Sequence, residues 1–465
     1  MQRAMRLDRT FPPHDAPASR MNPQLMTPAP GTMILHRLAL GVLLACSVPL
    51  VFGAERLADQ SANHWVGTWM VAPQAVSLNP AAPSFNRAPT LDRMTLRQIV
   101  MPTLSGSALR LRISNRFGTQ ALRLGGVTVA ASAHGAAVQQ GTLREVTFHG
   151  KNTVSIPAGQ TLLSDTVALP VVAGRVMAVS LWVPDRIVPR TWHKMANQVN
   201  FIADRGDFSR NVNGAPFQRR FMAYLWLDGM DVEVGPSEDN AALVTIGDSI
   251  TDGMHSTLNA NRRWPDDFAR RLRAAGMHHV AVLNAGISGN RLLHDSPCYG
   301  PSLLQRFSRD ALGQAGVRAV ILLVGINDIN FGFVPPHPGL DCDVPHVKVT
   351  AAELIAGYKD LIGQAHAKGV AIYGGTITPA SLPPSREAIR QAVNAWMRHS
   401  GAFDGVIDFD AALRDPAHPI RLLPRFDSGD HVHPNDAGYA AMAAAVPIQF
   451  LSLAAPARST LRSTP

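Results

Sequence analysis

The sequence predicts an all-β sandwich of jelly-roll-like kind over residues 60–234, followed by an α/β domain over residues 240–455. Two observations carry this. Hydrophobic residues in the first part alternate with period two, whereas in the second part short β-rich runs alternate with longer helix-like runs. The change falls at Gly235-Pro-Ser-Glu-Asp-Asn240, a turn-forming stretch suited to a linker. With 465 residues, 46% of them hydrophobic, the chain can fill two ordinary cores.

The chain begins with an upstream extension and a leader over residues 1–54. Residues 1–32 show no apolar period, and translation could begin at Met33. From Met33 a short basic start is followed by the apolar run Leu38–Ala54, which ends in small residues. That is the pattern of a secretory signal peptide, so the mature protein is expected to be secreted or periplasmic without a stable membrane span. An uncleaved anchor and a buried core helix are the competing readings, and Pro49 and the shortness of the run weigh against a span. Leu43-Leu-Ala-Cys46 is also compatible with lipoprotein processing at Cys46, although the apolar run continues past it.

In the sandwich, Leu109, Leu111 and Ile113 alternate with Arg110, Arg112 and Ser114, and Met177, Val179, Leu181 and Val183 alternate likewise. Further short runs, Val127–Val129, Val146–Phe148 and Phe221–Leu227, are punctuated by Gly, Pro and Asn. Trp65, Trp69, Trp182, Trp192 and Trp226 could stack on sugar rings, but tryptophans of this kind are more often core.

Five β-rich runs follow the linker: Ala241–Ile246, Val280–Asn284, Ala319–Val324, Val370–Gly374 and Val406–Asp408. Each precedes a helix-like run: Trp264–Ala275, Ser302–Leu312, Thr350–Lys368, Ser385–His399 and Asp436–Leu453. Continuous apolar strands separated by helices predict a parallel sheet covered on both faces. Residues 456–465 are polar and Pro-containing and are expected to be a disordered tail.

The formal charge of +9 includes five Arg and two Asp in residues 1–54; without these, 38 basic and 32 acidic residues leave +6. With no Lys/Arg block and no basic stripe interleaved with aromatics, nucleic acid is not an expected partner. If Cys46 leaves with the leader, Cys298 and Cys342 remain, in Gly/Pro-rich surroundings. In an exported chain they most simply form a disulfide, and neither has the neighbours of a zinc site. No metal and no cofactor are expected.

Ser249 lies in Ile246-Gly-Asp-Ser-Ile-Thr-Asp-Gly253, directly after the first strand of the α/β part. A serine hydroxyl becomes a nucleophile only when a base takes its proton. The candidate base lies in Asp427-Ser-Gly-Asp430-His-Val-His433-Pro-Asn-Asp. Asp430, three residues before His433, can orient one ring nitrogen while the other faces the serine. His431, adjacent to Asp430, is the weaker candidate. Donors for a developing oxyanion are offered by Asn284-Ala-Gly-Ile-Ser-Gly289 and Gly325-Ile-Asn327-Asp328, together with the Ser249 N–H. Asp248 and Asp328 read as loop-fixing acceptors, and Asp252 as a helix-start acid or a wall of the site.

Taken singly, each of these short motifs has an ordinary reading as a turn or cap. Together, in the order Ser, Gly, Asn, Asp/His and each at a strand end, they resemble the four blocks of the SGNH hydrolases, the GDSL-type esterases and lipases, over about Leu243–Val446. The resemblance implies a flavodoxin-like three-layer α/β/α SGNH hydrolase domain without metal. By matching position, Ser249, Asp430 and His433 would be catalytic, and Ser249, Gly289 and Asn327 would form the oxyanion hole. One departure is Ile250, where the nominal motif has leucine.

The expected activity is hydrolysis of carboxylic esters through an acyl-enzyme. A sandwich joined to such a domain resembles carbohydrate esterases that deacetylate polysaccharide, so an acylated polysaccharide is the expected substrate. A lipid or lysophospholipid esterase, a polysaccharide O-acyltransferase and a non-catalytic carbohydrate-binding protein stay open as alternatives. The loop Phe331–Val347 is expected either to overhang the site or to be a disulfide-tied surface loop.

Overall fold

The computed structural model describes residues 64–195, 197–235 and 239–450. The expected leader, Met33, Cys46 and the tail 456–465 lie outside the described residues.

The first part is built of antiparallel strands. A six-stranded sheet is centred on Leu91–Val100 and Met177–Ile187, and a four-stranded sheet runs His64–Met70, Leu227–Val234, Leu109–Ser114, Thr161–Leu163. Alternation explains their packing: Leu109, Leu111 and Ile113 from one sheet and Val127, Val129, Val179 and Leu181 from the other are buried in one core. Two expected strands differ. Val146–Phe148 forms no strand, because pairing stops at Arg144–Glu145 and Phe148 makes only an isolated bridge to Lys151. Phe221–Leu227 is broken into three pieces, by a bend at Met222–Ala223 and by Trp226, whose φ of +61 interrupts the extended chain before Leu227. Trp69, Trp192 and Trp226 are core residues, while half-buried Trp65 lies against the Arg110 guanidinium.

In the second part five parallel strands run in the order Val280–Gly286, Ala241–Gly247, Val317–Leu323, Ala371–Gly375, Gly405–Ile407. This 2-1-3-4-5 order is that of flavodoxin-like folds and reverses direction beside the first strand, where such sheets place their ligands. Helices Trp264–Ala274, Ala351–Ala367 and Pro384–His399 cover the sheet close to their expected bounds, whereas Asp436–Ala445 ends eight residues before the expected Leu453, at extended Val446 before Pro447. The run from Ser302 is instead a short helix, Leu303–Phe307, passing into a π-helical turn, Ser308–Leu312. Ala351–Ala367 begins with a capping box between Thr350 and Glu353.

The described residues form one compact unit, and one hydrophobic cluster runs from the sandwich into the α/β layers. Polar groups also cross the junction. The Thr103 hydroxyl lies 3.0 Å from Val282 N and accepts its hydrogen bond at the edge of the parallel sheet, and Gly67 N donates to Ala315 O at 2.9 Å. No helix among the described residues is long and apolar enough to cross a membrane.

Candidate active site

Strand Ala241–Gly247 ends at Gly247, where a side chain could not fit because a Cβ would lie 1.9 Å from Leu323 O. The chain then turns into a single helical turn, Ser249–Asp252, capped by the Asp248 carboxylate, which accepts from Ile250 N at 3.0 Å. Gly253, at φ 93, ends it. Ser249 is thereby fixed at the carboxyl end of the first strand.

The Ser249 hydroxyl lies 2.7 Å from His433 Nε2, and His433 Nδ1 lies 2.6 Å from Asp430 Oδ2. Asp430 Oδ1 accepts from His433 N at 2.8 Å, Val432 N at 3.0 Å and the Ser428 hydroxyl at 3.2 Å. Partial burial pushes the Asp430 carboxyl up, but the hydrogen bonds from the His433 ring and these amides outweigh it and hold the group well below the usual carboxylate range. His431 instead pairs with Asp427 at 2.6 Å.

Gly289 follows the second strand in a left-handed conformation, φ 79, with the Tyr299 ring packed where a side chain would be. The N–H groups of Ser249 and Gly289 make no hydrogen bond to any described residue. Asn327 opens the short helix Ile326–Phe331 after the third strand, and its amide donates to Asn290 O at 2.9 Å. Asp328 accepts from Leu292 N and Leu293 N at 2.8 and 3.0 Å, locking the Asn327 turn to the Gly289 loop. Burial pushes Asp248 up to about 7 and Asp328 up to about 6. Both act as loop-fixing acceptors.

Three contributors had no visible sequence signal. Fully buried Arg306 donates to Gly247 O, Ala285 O and Asn290 Oδ1 at 2.8, 2.8 and 2.9 Å, joining the serine and glycine loops. His255, in a left-handed turn six residues beyond Ser249, places Nε2 3.2 Å from Asp430 Oδ2. His193, from the sandwich, contacts Asp252, the acid in the single helical turn Ser249–Asp252, as expected of a helix-start acid. The Asp252 carboxylate is buried and accepts from Ser288 N and its hydroxyl at 2.9 and 2.6 Å.

Cys298 and Cys342 are disulfide-bonded. The Phe331–Val347 loop is gripped by Arg291, which donates to Pro345 O at 2.9 Å and Val344 O at 2.5 Å while its guanidinium lies over the Phe331 ring. Two groups, His255/Asp430/His433 and His337/Asp341/Asp343, bring their ligand atoms close enough to hold an ion. In the first, both His433 nitrogens already face protein partners.

Residues 245–441 match the model of the GDSL-like Lipase/Acylhydrolase family. The α/β part is a GDSL-like hydrolase domain. Its family is that of carboxylic ester hydrolases, the reaction class to which this chain belongs. Similar solved structures include a lipase/acylhydrolase from Enterococcus faecalis, at 20% identity and TM-score 0.35, covering 46% of this chain and 96% of its own. A catalytic mutant of an acetylxylan esterase from Geobacillus stearothermophilus matches at 23% identity and TM-score 0.34, covering 46% and 94%. A GDSL-like lipase from Bacteroides thetaiotaomicron matches at 18% identity and TM-score 0.33, covering 48% and 92%. No curated protein is similar in sequence to the chain.

Proposed function

We propose that this GDSL-like hydrolase is an exported esterase that removes short acyl groups, chiefly acetyl, from carbohydrate. The observation that carries the mechanism is the unbroken line from Asp430 through His433 to Ser249, at 2.6 and 2.7 Å. His433 Nε2 takes the hydroxyl proton as Ser249 attacks the ester carbonyl, and Asp430 stabilises the resulting imidazolium. The oxyanion is received by the N–H groups of Ser249 and Gly289 and by the Asn327 amide. His433 returns the proton to the leaving alcohol, and water then hydrolyses the acyl-enzyme with the same histidine as base.

Export is supported by the disulfide, which suits an oxidising compartment. The carbohydrate reading is supported by polar groups on the serine pair and the glycine loop: His255 beside Asp430, Asn327 bonded to Asn290, and Lys194, whose ammonium lies 5.3 Å from the centroid of the Tyr299 ring that packs on Gly289. Such groups hydrogen-bond sugar hydroxyls readily.

A second reading, hydrolysis at a lipid surface, is favoured by exposed Leu78, Phe85, Phe333, Val344 and Val347. They lie on two loops joined by a hydrogen bond from the Asn79 amide to Gly339 O at 3.2 Å. The deciding test compares wild type with Ser249→Ala on nitrophenyl esters from acetate to palmitate, on acetylated xylan and on phospholipid vesicles. Acetyl release that is lost by about 10⁴-fold or more in the variant is expected. Activity rising with chain length and vesicle concentration would transfer the reading to lipids, and a variant as active as wild type would remove Ser249 from the mechanism.

A further inference from the structure

We infer that His193 is a positioning residue of the ester hydrolase site, a buried imidazolium supplied by the sandwich that fixes, through Asp252, the loop presenting Gly289 N–H. The inference rests on the proposed oxyanion role of Gly289.

The geometry begins with the hydrogen-bond partners of the ring. His193 Nδ1 lies 3.0 Å from Ala72 O, and Nε2 lies 3.1 Å from Met195 O and 3.1 Å from Asp252 Oδ1. Every one of these partners is an oxygen that only accepts, so each ring nitrogen must carry a proton. A neutral ring would aim a lone pair at a carbonyl or a carboxylate. The side chain is only 4% exposed, which leaves no room for bulk water to relieve that clash.

The charge has a definite consequence at the other end. Asp252 belongs to the helical turn that begins at Ser249, and its second oxygen takes both the N–H and the hydroxyl of Ser288, the residue before Gly289. One carboxylate therefore connects the nucleophile turn, the glycine loop and the sandwich. Without His193, Asp252 would be left facing Ser288 alone and would gain by taking a proton or turning toward another cation. Burial opposes the charge on His193, and Asp252 outweighs it, holding the ring above its ordinary range. Lys194, Arg263 and Arg306 are the other charges acting on Asp252. Tyr224, whose ring centroid is 6.5 Å from that of His193, gives its hydroxyl to Ile99 O.

The test uses the whole protein, with active sites counted by titration with a serine-directed phosphonate. His193→Ala is expected to lower kcat for nitrophenyl acetate by about 10- to 100-fold per titrated site with KM within about twofold, because a displaced donor acts chiefly in the transition state. His193→Gln, which can still donate toward Asp252, is expected to recover part of that loss. Ring-nitrogen NMR of unreacted wild type at pH 8 should show both His193 nitrogens protonated, where a free imidazole is neutral. A neutral ring at pH 8 would overturn the inference. So would a His193→Ala enzyme whose kcat per titrated site equals wild type, whatever its stability. The NMR measurement needs no substrate, so it stands apart from any failure of the proposed esterase activity.

Discussion

Two carboxylate–imidazole pairs meet at the serine turn, Asp430 with His433 at 2.6 Å against its first residue and Asp252 with His193 at 3.1 Å at its last. The Asp430 side chain is 35% exposed, and its histidine has one nitrogen turned to a hydroxyl. In the Asp252 pair the His193 ring meets only accepting oxygens, and the free oxygen of the carboxylate is taken by the Ser288 N–H and hydroxyl. The difference in surroundings separates two uses of the same chemistry. A partly hydrated pair with one free direction can gain and release a proton in each turnover, whereas a sealed pair carries a fixed charge and holds backbone in place.

That contrast is broken most severely by matched amide substitutions. Asp430→Asn should lower kcat by about 10³- to 10⁴-fold, since the amide cannot support the imidazolium, while denaturant stability stays within about 1 kcal/mol. Asp252→Asn should instead destabilise the protein by about 3–5 kcal/mol in urea unfolding, because it strands a buried charge. Equal stability losses in the two variants would erase the distinction.

Replacing both Cys298 and Cys342 with serine frees a loop whose ends are 44 residues apart and should cost about 4 kcal/mol on the loop-entropy model, measured by urea unfolding. A smaller effect is expected from Asp248, the buried carboxyl next to the serine. Burial raises its folded-state pKa from the ordinary 3.8 to about 7, so between these values the folded protein keeps a proton that the unfolded chain has lost. That contribution to stability is present at low pH and declines as pH rises through the window. Asp248→Asn should flatten the fall of the unfolding midpoint over the same range. The smallest change is at the surface: Thr350→Ala removes half of a capping box and should cost about 1 kcal/mol in thermal unfolding, with kcat unchanged.

Much of the α/β part was legible because its strands are fully buried and its helices long. The five apolar runs matched the five parallel strands with shifts of one or two residues. The short turns at Ser249–Asp252 and Ile326–Phe331 were not foreseeable as helices, since one turn is too short for an apolar period. In the sandwich, alternation located the long strands and failed at Val146–Phe148, where pairing stops, and in Phe221–Leu227, where bends at Met222–Ala223 and Trp226 interrupt a run of suitable residues.

The sequence by itself determined the class of fold, the strand-end placement of Ser249, Gly289 and Asn327, the pairing of Asp430 with His433 just before the last helix rather than at a strand end, and the partnership of the two cysteines, because each depends on local pattern or short spacing. Only the tertiary structure decided that His193, 59 residues from Asp252 and in a different kind of sheet, reaches the serine turn, and that Arg306 ties the serine and glycine loops together. Those contacts arise where separately formed layers pack, and hydrophobic periodicity carries no record of which polar side chain will be buried opposite which.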